Sequence, residues 1–251
     1  MSLFGRPLAD GDRLEVAGAI VRLKVHKRAR RVSLRLDRTR REVVATAPSP
    51  RRLAEAVAFA RDRAGWIVAR LAELPTGQVI APGVTLEIFG EPYRLEAAEH
   101  VFRLIPAHPD KPASIAGRGE GAAYSRAVIR LLKREALRVL GLRTAVHCQS
   151  LGVKPPSVAI MDAKGRWGSC RPALPGKPAA IRYSWRLALA PFAVADYVAA
   201  HECAHLLELN HGPRFWAHVA ALVGDQRPHR AWLRAEGAAL HAFGSETPTD
   251  Q

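Results

Sequence analysis

Apolar and polar residues alternate along two short stretches near the start of the chain, residues 20–26 and 32–36. Residues 43–47, 84–89, 93–95 and 101–105 are further short runs typical of strands. Successive side chains of a strand point to opposite faces, so a period of two predicts β-strands with one buried face. The pattern therefore predicts a β-rich N-terminal region.

A different period interrupts this region. After Ser49 and Pro50, apolar residues recur at spacings of three and four, which places them on one face of a helix. They are Leu53, Val57, Ala60, Ala64, Ile67 and Leu71. Serine suits the position before a helix and proline suits its first residue. We expect one long amphipathic helix over about 50–74.

The second half of the chain reads mainly as helices around a few short strands. The helices are predicted at about 122–151, 191–209, 213–223 and 228–243, and the strands at 158–161, 166–170 and 180–183. Together the two halves predict an α+β protein.

Composition suggests where this chain divides. Residues 106–121 are rich in Pro, Gly, Ala and charge, which is typical of a linker. The expected organisation is a flexible arm at 1–13, a β-rich region with one long helix at 14–105, the linker at 106–121, a catalytic domain at 122–244 and a disordered tail at 245–251.

Charge and cysteine content indicate possible partners and the cellular compartment of the protein. The 251 residues carry a formal net charge of +15, which favours a phosphate-rich partner or reflects an arginine bias. Three cysteines in no framework spacing predict reduced thiols. With neither a signal peptide nor a membrane helix recognisable, we expect a cytoplasmic protein that does not bind membranes.

One stretch has the residue types and the spacing of a metal-binding site. It reads His201-Glu-Cys-Ala-His205, followed after five residues by His211. On a helix, His201 and His205 lie one turn apart on the same face, so both imidazoles can bind one Zn²⁺. Glu202 is then placed to act as general base toward a zinc-bound water. His211 follows where Asn210-His-Gly-Pro213 breaks the helix, and can supply a third ligand.

The rest of that helix is apolar nearly all round, which predicts burial. Burying an unpaired carboxylate costs several kcal/mol or more, so Glu202 needs a partner. A divalent metal with its bound water provides one. This energetic argument favours a metal site over a chance occurrence of the motif.

A set of motifs surrounds this stretch in a recognisable order. They are Arg166-Trp-Gly-Ser-Cys170, Tyr183-Ser-Trp-Arg-Leu187, Asp196-Tyr-Val198, the H-E-x-x-H segment, Asn210-His211, Phe215-Trp216 and Trp232-Leu233. The set resembles the YgjP-like metallopeptidase family, which is close to the SprT-like and WLM zincins. Arg31-Val-Ser-Leu-Arg-Leu36 and Gly65-Trp-Ile67 extend the resemblance over most of the chain.

The resemblance implies a zincin-like (minimal gluzincin) domain with a small sheet and an active-site helix that carries H-E-x-x-H. It also implies one zinc per chain on His201, His205 and His211, with Glu202 catalytic. Cys203, Gly212 and a long loop at 171–178 depart from the family pattern without touching a ligand.

Other residues are candidates for the cleft around the metal. They are Trp167, Ser169, Cys170, Tyr183 and Arg214. Cys170 reads as a core thiol or as an active-site group. Asp196 reads as a carboxylate that orients a ligand histidine or as a charge on the helix surface.

Three functions remain open on the sequence. The first is a zinc metallopeptidase that cleaves a peptide or protein by Glu202-assisted attack of a zinc-bound water. The second is a metal-dependent pyrophosphatase acting on a nucleoside triphosphate such as UTP, because YgjP-like proteins have been linked to that reaction. The third is a nucleic-acid-associated, SprT-like protein whose zinc is structural or proteolytic.

Overall fold

The computed structural model of the protein describes residues 2–3, 6–38, 40–74, 78–163 and 165–244. The chain forms two compact units, an N-terminal unit of Met1–Pro75 and a C-terminal unit of Thr76–Gln251. Both mix strands and helices, which confirms the predicted α+β class. No helix among the described residues is long and apolar enough to cross a membrane.

The N-terminal unit places six strands before its helices. In chain order these are β1 Ser2–Leu3, β2 Arg6–Pro7, β3 Arg13–Val16, β4 Ala19–Val25, β5 Ser33–Asp37, β6 Glu42–Ala47, α1 Leu53–Asp62 and α2 Ala64–Ala72. β1 and β2 pair separately, and the other four strands form a sheet in the order β3-β4-β6-β5. Strand β5 is therefore an edge of this sheet.

The core of the N-terminal unit lies between this sheet and its helices. Val21 and Leu23 of β4 are fully buried, and so are Leu53 of α1 and Ile67 of α2. The apolar alternation of the strands and the three-and-four spacing of the helices thus bury complementary faces. This confirms the amphipathic pattern read from the sequence.

The structure corrects two details of the N-terminal prediction. The long helix over about 50–74 is interrupted at Arg63, whose φ of −98° and ψ of 19° lie outside helical values. Gly65 follows, where helix propensity is low. The arm at 1–13 is not loose within the described residues, because Asp12 pairs with Arg6 and Asp10 accepts from the Val25 N–H.

Within its described residues, the C-terminal unit contains two sheets and four α-helices. In chain order its elements are β7 Thr85–Ile88, β8 Glu91–Ala97, β9 Arg103–Ile105, β10 Ser114–Gly117, α3 Gly121–Ser150, β11 Ser157–Met161, β12 Gly168–Arg171, β13 Ala180–Ser184, α4 Phe192–Ala204, α5 Pro213–Val223 and α6 Arg227–Ala242. The sheets have the orders β7-β8-β10-β9 and β11-β13-β12.

The structure divides the chain at a different point from the predicted linker at 106–121. That segment contains β10, whose four residues are all buried between β8 and β9. Ile115 of β10 joins Leu86 and Leu95 in the same hydrophobic core as α3. Residues 78–105 therefore belong with the helices of the C-terminal unit, because their apolar side chains complete that core. The predicted tail at 245–251 lies outside the described residues.

Helix α4 runs through the centre of the C-terminal unit. Nine of its thirteen residues are buried, including Glu202. It packs against α3, α5, α6 and β12. A helix that is apolar on nearly every side has to be surrounded in this way. The burial of the Glu202 carboxyl in this apolar helix then needs a chemical explanation.

Candidate metal centre

The three histidines of the motif come together at the end of α4. His201 lies in the last turn, His205 directly follows the final helical residue, and His211 precedes α5. Each contributes one ring nitrogen to a group whose atoms all lie within 4.8 Å of one another. The Nε2 atoms of His201 and His211 are 3.1 Å apart.

The chain reverses direction between His205 and His211 to make this possible. The N–H groups of Leu206 and Leu207 bond back to the carbonyl oxygens of Cys203 and Ala204. Pro213 then opens α5. This local turn brings His211 close to His201 and His205, which the helix alone could not do.

Two contacts orient the rings. Nδ1 of His205 lies 3.0 Å from the Glu208 carbonyl oxygen, so Nδ1 donates and Nε2 keeps its lone pair in the neutral ring. Nδ1 of His201 lies 3.5 Å from the Tyr197 hydroxyl, at the limit of a hydrogen bond. Fixing one ring nitrogen in this way is how proteins direct the other toward a metal.

Burial keeps the imidazoles of His201 and His205 neutral. It lowers the pKa of His201 to about 3, with further lowering from the charges of His205, His211 and Arg230. Burial also lowers the pKa of His205. Neutral imidazole is the form that binds zinc. The donor set therefore fits a divalent metal at neutral pH, and three protein ligands leave a fourth position open.

Phe215 forms a shared apolar wall behind the cluster. Its fully buried ring lies with centroid distances of 4.8, 4.5 and 4.6 Å from the rings of His201, His205 and His211. An apolar wall of this kind excludes water from one side of the group and limits ring rotation.

Glu202 lies beside the histidines and is only 6% exposed. Burial raises the pKa of its carboxyl to about 7, and the charge of Arg166 partly opposes this. A group with that pKa can both accept and release a proton near neutral pH. Burial, rather than a charged partner, therefore sets its protonation.

Gly168 makes room for Glu202. A Cβ added to Gly168 would lie 2.6 Å from Cγ and 2.7 Å from the carboxyl carbon of Glu202. Real Cβ atoms do not approach carbon so closely, so any side chain here would displace the carboxylate. The sequence prediction included this glycine within Trp-Gly-Ser-Cys but assigned it no role. The glycine in that motif was the available signal.

The predicted cleft residues fall into two groups. Ser169 and Cys170 of β12 and Trp167 just before it form one group, and all three are partly buried. The Trp167 ring stacks on His241 at a centroid distance of 4.3 Å. Burial, the Glu202 charge and the Cys148 charge raise the pKa of Cys170 to about 12. Cys170 is thus a neutral thiol, not an activated nucleophile.

Tyr183 and Arg214 differ in exposure. Tyr183 pairs with Gly168 across β13 and β12, and it is fully buried with its hydroxyl 2.8 Å from the Thr144 hydroxyl of α3. Its hydroxyl therefore bonds to α3, although its backbone lies beside the glycine that contacts Glu202. The Arg214 side chain is 88% exposed and lies 4.0 Å from Glu208.

Asp196 takes neither of the two roles open to it on the sequence. It accepts hydrogen bonds from Arg143 Nε at 2.7 Å and from His147 Nε2 at 2.6 Å, both on α3. It is therefore an inter-helix ion pair rather than a partner of a ligand histidine. A pair between residues about fifty positions apart gives no local sequence signal.

Tyr197, His229 and Arg230 border the cluster on its other side. The Tyr197 and His229 rings stack at a centroid distance of 5.7 Å, and the Arg230 guanidinium lies 5.0 Å from the centre of the Trp216 ring. No sequence pattern grouped these residues in advance. Tyr197 lies one helical turn before His201, and that spacing was the signal that could have identified it.

Comparison with known proteins agrees with this site. The family model described as "YgjP-like, metallopeptidase domain" matches residues 30–236, which include all three histidines and Glu202. Neither the comparison with curated proteins nor that with solved structures gave a match. The family match confirms the resemblance seen in the ordered motifs. The chain belongs to the YgjP-like metallopeptidase domain family.

Proposed function

We propose that the protein is a zinc-dependent metallopeptidase in which His201, His205 and His211 hold the metal and Glu202 is the general base. One observation carries the proposal. A buried carboxyl with a pKa of about 7 directly follows, in the chain, the first of three histidines whose ring nitrogens converge. This is the combination that metal-assisted hydrolysis requires.

Zinc, when bound, supplies a Lewis acid that lowers the pKa of water and polarises a carbonyl. Glu202 takes a proton from the attacking water as the water oxygen bonds to the peptide carbonyl carbon. Glu202 then gives that proton to the amide nitrogen as the C–N bond breaks. The products are a carboxylic acid and an amine, between which the second water proton passes to give a carboxylate and an ammonium group, and Glu202 returns to its starting state.

Strand β12 supports a peptide as the substrate. It is an edge strand of the sheet β11-β13-β12, and its first residue, Gly168, lies against Glu202. An edge strand offers backbone N–H and C=O groups that can bind an extended chain. A peptide bound along β12 would pass close to the general base.

The test uses the full-length protein loaded with zinc. It is incubated with an unfolded protein and, separately, with UTP. We expect new peptide termini and no release of pyrophosphate. Pyrophosphate release without peptide cleavage would instead establish the nucleotide reaction.

Two histidine variants test the metal ligands. We expect about one zinc per wild-type chain, as for a catalytic site. His211→Ala should lose most of that zinc, because only two ligands remain. His218→Ala removes a histidine of α5 outside the cluster and should retain it. Equal zinc contents in the two variants would contradict the assignment of His211.

A further inference from the structure

A pocket of about 510 Å³ opens in the N-terminal unit, away from the residues of the metal centre in the chain. Two segments line it, one at the start of β5 and the other at the junction of α1 and α2. The lining residues are Arg31, Val32, Ser33, Leu34, Phe59, Arg63 and Trp66. Both segments belong to motifs that the metal chemistry leaves unused. We call this the N-terminal pocket.

The N-terminal pocket offers aromatic surface to solvent. Trp66 is exposed, with 39% of its surface accessible to solvent. The protein's other four tryptophans, all within the described residues, are buried or partly buried. The Phe59 ring is partly buried on the neighbouring helix, and the Arg63 guanidinium lies 5.8 Å from its centre. An exposed indole beside a second ring and a guanidinium is a surface on which a planar group can stack.

The charge around the N-terminal pocket is strongly positive. Residues 1–75 contain 17 Lys and Arg against 8 Asp and Glu, so this unit carries +9 of the total +15. Within the described residues, no ion pair involves Lys27, Arg28, Arg30, Arg31 or Arg35. Arg63 has one exposed pair with Asp62 at 3.4 Å, which contributes little. These cations are therefore available to an anionic partner.

We propose that the N-terminal pocket binds single-stranded nucleic acid. An unpaired base stacks on Trp66 and Phe59, while Arg31, Arg63 and the cations of residues 27–30 contact the phosphates on either side. Proteins that bind single strands combine these same two elements, a cationic groove and exposed rings. An acidic polypeptide matches the charge but has no planar group at every unit to match the rings.

Binding is measured with the full-length protein and a fluorescently labelled oligo(dT) of about 15 nucleotides. Trp66→Ala should weaken binding about tenfold or more, the range expected for losing one stacked base, whereas Trp66→Phe should retain most of the affinity. Melting temperatures of all variants establish that they are folded.

A pair of arginine variants separates the N-terminal pocket from general charge attraction. Arg31→Ala should weaken binding about fivefold or more and reduce the slope of log affinity against log salt by about 0.7 for each phosphate that Arg31 neutralises. Arg51→Ala removes the same charge from an exposed position that does not line the pocket, and should change affinity less than about twofold.

Several results would overturn the proposal. Equal losses of affinity in Arg31→Ala and Arg51→Ala would show that only net charge matters. Full affinity in Trp66→Ala would exclude base stacking. Equal affinity for a duplex of the same length would exclude selection of single strands. Tighter binding of poly-glutamate than of oligo(dT), with a dependence on Trp66, would assign the N-terminal pocket to acidic polypeptides.

Discussion

The two ends of helix α4 hold carboxylates in opposite states. Asp196, near its start, accepts hydrogen bonds from Arg143 and His147 of α3. Burial raises the pKa of Asp196, but those hydrogen bonds and charges outweigh it, and the net pKa is lowered. Glu202, near the end of α4, is more deeply buried, and its pKa is raised to about 7. One carboxyl is held charged and the other close to half-protonated.

The difference comes from where each side chain points. Six residues along an α-helix turn the side chain through about 240° beyond one full revolution, so Asp196 and Glu202 face different neighbours. Asp196 meets Arg143 and His147 of α3, whereas Glu202 meets the backbone of β12 at Gly168. Pairing with a cation lowers a carboxyl pKa and desolvation raises it, and this difference supports a structural role for Asp196 and the proposed catalytic role for Glu202. Four measurements test whether Asp196 has a structural role and Glu202 a catalytic one.

The largest expected effect is on turnover in Glu202→Gln. Glutamine cannot accept the proton, so we expect peptide hydrolysis to fall by about a thousandfold while zinc content is unchanged. Turnover and zinc content are measured on the same preparation. Glu208→Gln, a matched substitution four residues beyond α4, should stay within a few-fold of wild type. Normal turnover in Glu202→Gln would refute its role as general base.

The next largest effect is expected in Gly168→Ala. The new Cβ would push the Glu202 carboxylate from its position, and a displacement of about 1 Å can cost about a hundredfold in rate. We expect turnover to fall ten- to hundredfold, mainly in kcat, with zinc retained. Gly165→Ala is the control, since a Cβ there meets nothing within 4 Å. Similar rates in both variants would show that the close approach of Gly168 does not position Glu202.

Asp196→Asn should affect stability rather than chemistry. It leaves Arg143 and the 2%-exposed His147 side chain without their anionic partner. Removing one member of a largely buried pair is strongly destabilising, so we expect a loss of about 2 kcal/mol in the free energy of unfolding. That corresponds to roughly 4–8 °C in melting temperature for a protein of this size. Zinc content and turnover at 25 °C should be close to wild type, and a selective loss of turnover would assign Asp196 to the site.

The smallest effect is the pH dependence of that stability difference. Because the pKa of Asp196 is lower in the folded than in the unfolded protein, its contribution is fully present above the unfolded pKa of about 3.9. The contribution is lost as pH falls through the lower folded pKa. The difference between wild type and Asp196→Asn should therefore be constant from pH 5 to 8 and shrink below about pH 4. Denaturant unfolding at each pH measures it, and a difference that grows in acid would contradict the assigned ion pair.

Most regular elements could be predicted because their signals are local. The alternation in residues 20–26 and the helical spacing in residues 213–223 each appear within a few residues, and the structure has β4 and α5 there. Strand β10 was missed because four residues between Pro- and Gly-rich segments show no period. The interruption at Arg63 was missed because the apolar spacing continues across it.

In the candidate metal site, too, the features with a local sequence signal could be predicted. Spacing alone places His201 and His205 on one face, and the apolar surroundings of Glu202 imply its burial. Their roles as metal ligands and general base stay predictions, which zinc content and turnover in the variants test. Alternation along β13 does not reveal which face meets α3, so the hydrogen bond between the Tyr183 and Thr144 hydroxyls could not be predicted.

The sequence by itself determined the α+β class, the family, the helix with H-E-x-x-H and the strongly basic N-terminal unit. These properties depend on residue type and on spacing within single elements. Only the tertiary structure decided that Gly168 leaves room for Glu202, that Asp196 pairs with α3, and that Trp66 and Arg31 share a pocket. Each of these joins residues more than thirty positions apart, and such contacts arise from packing between elements, which no local pattern encodes.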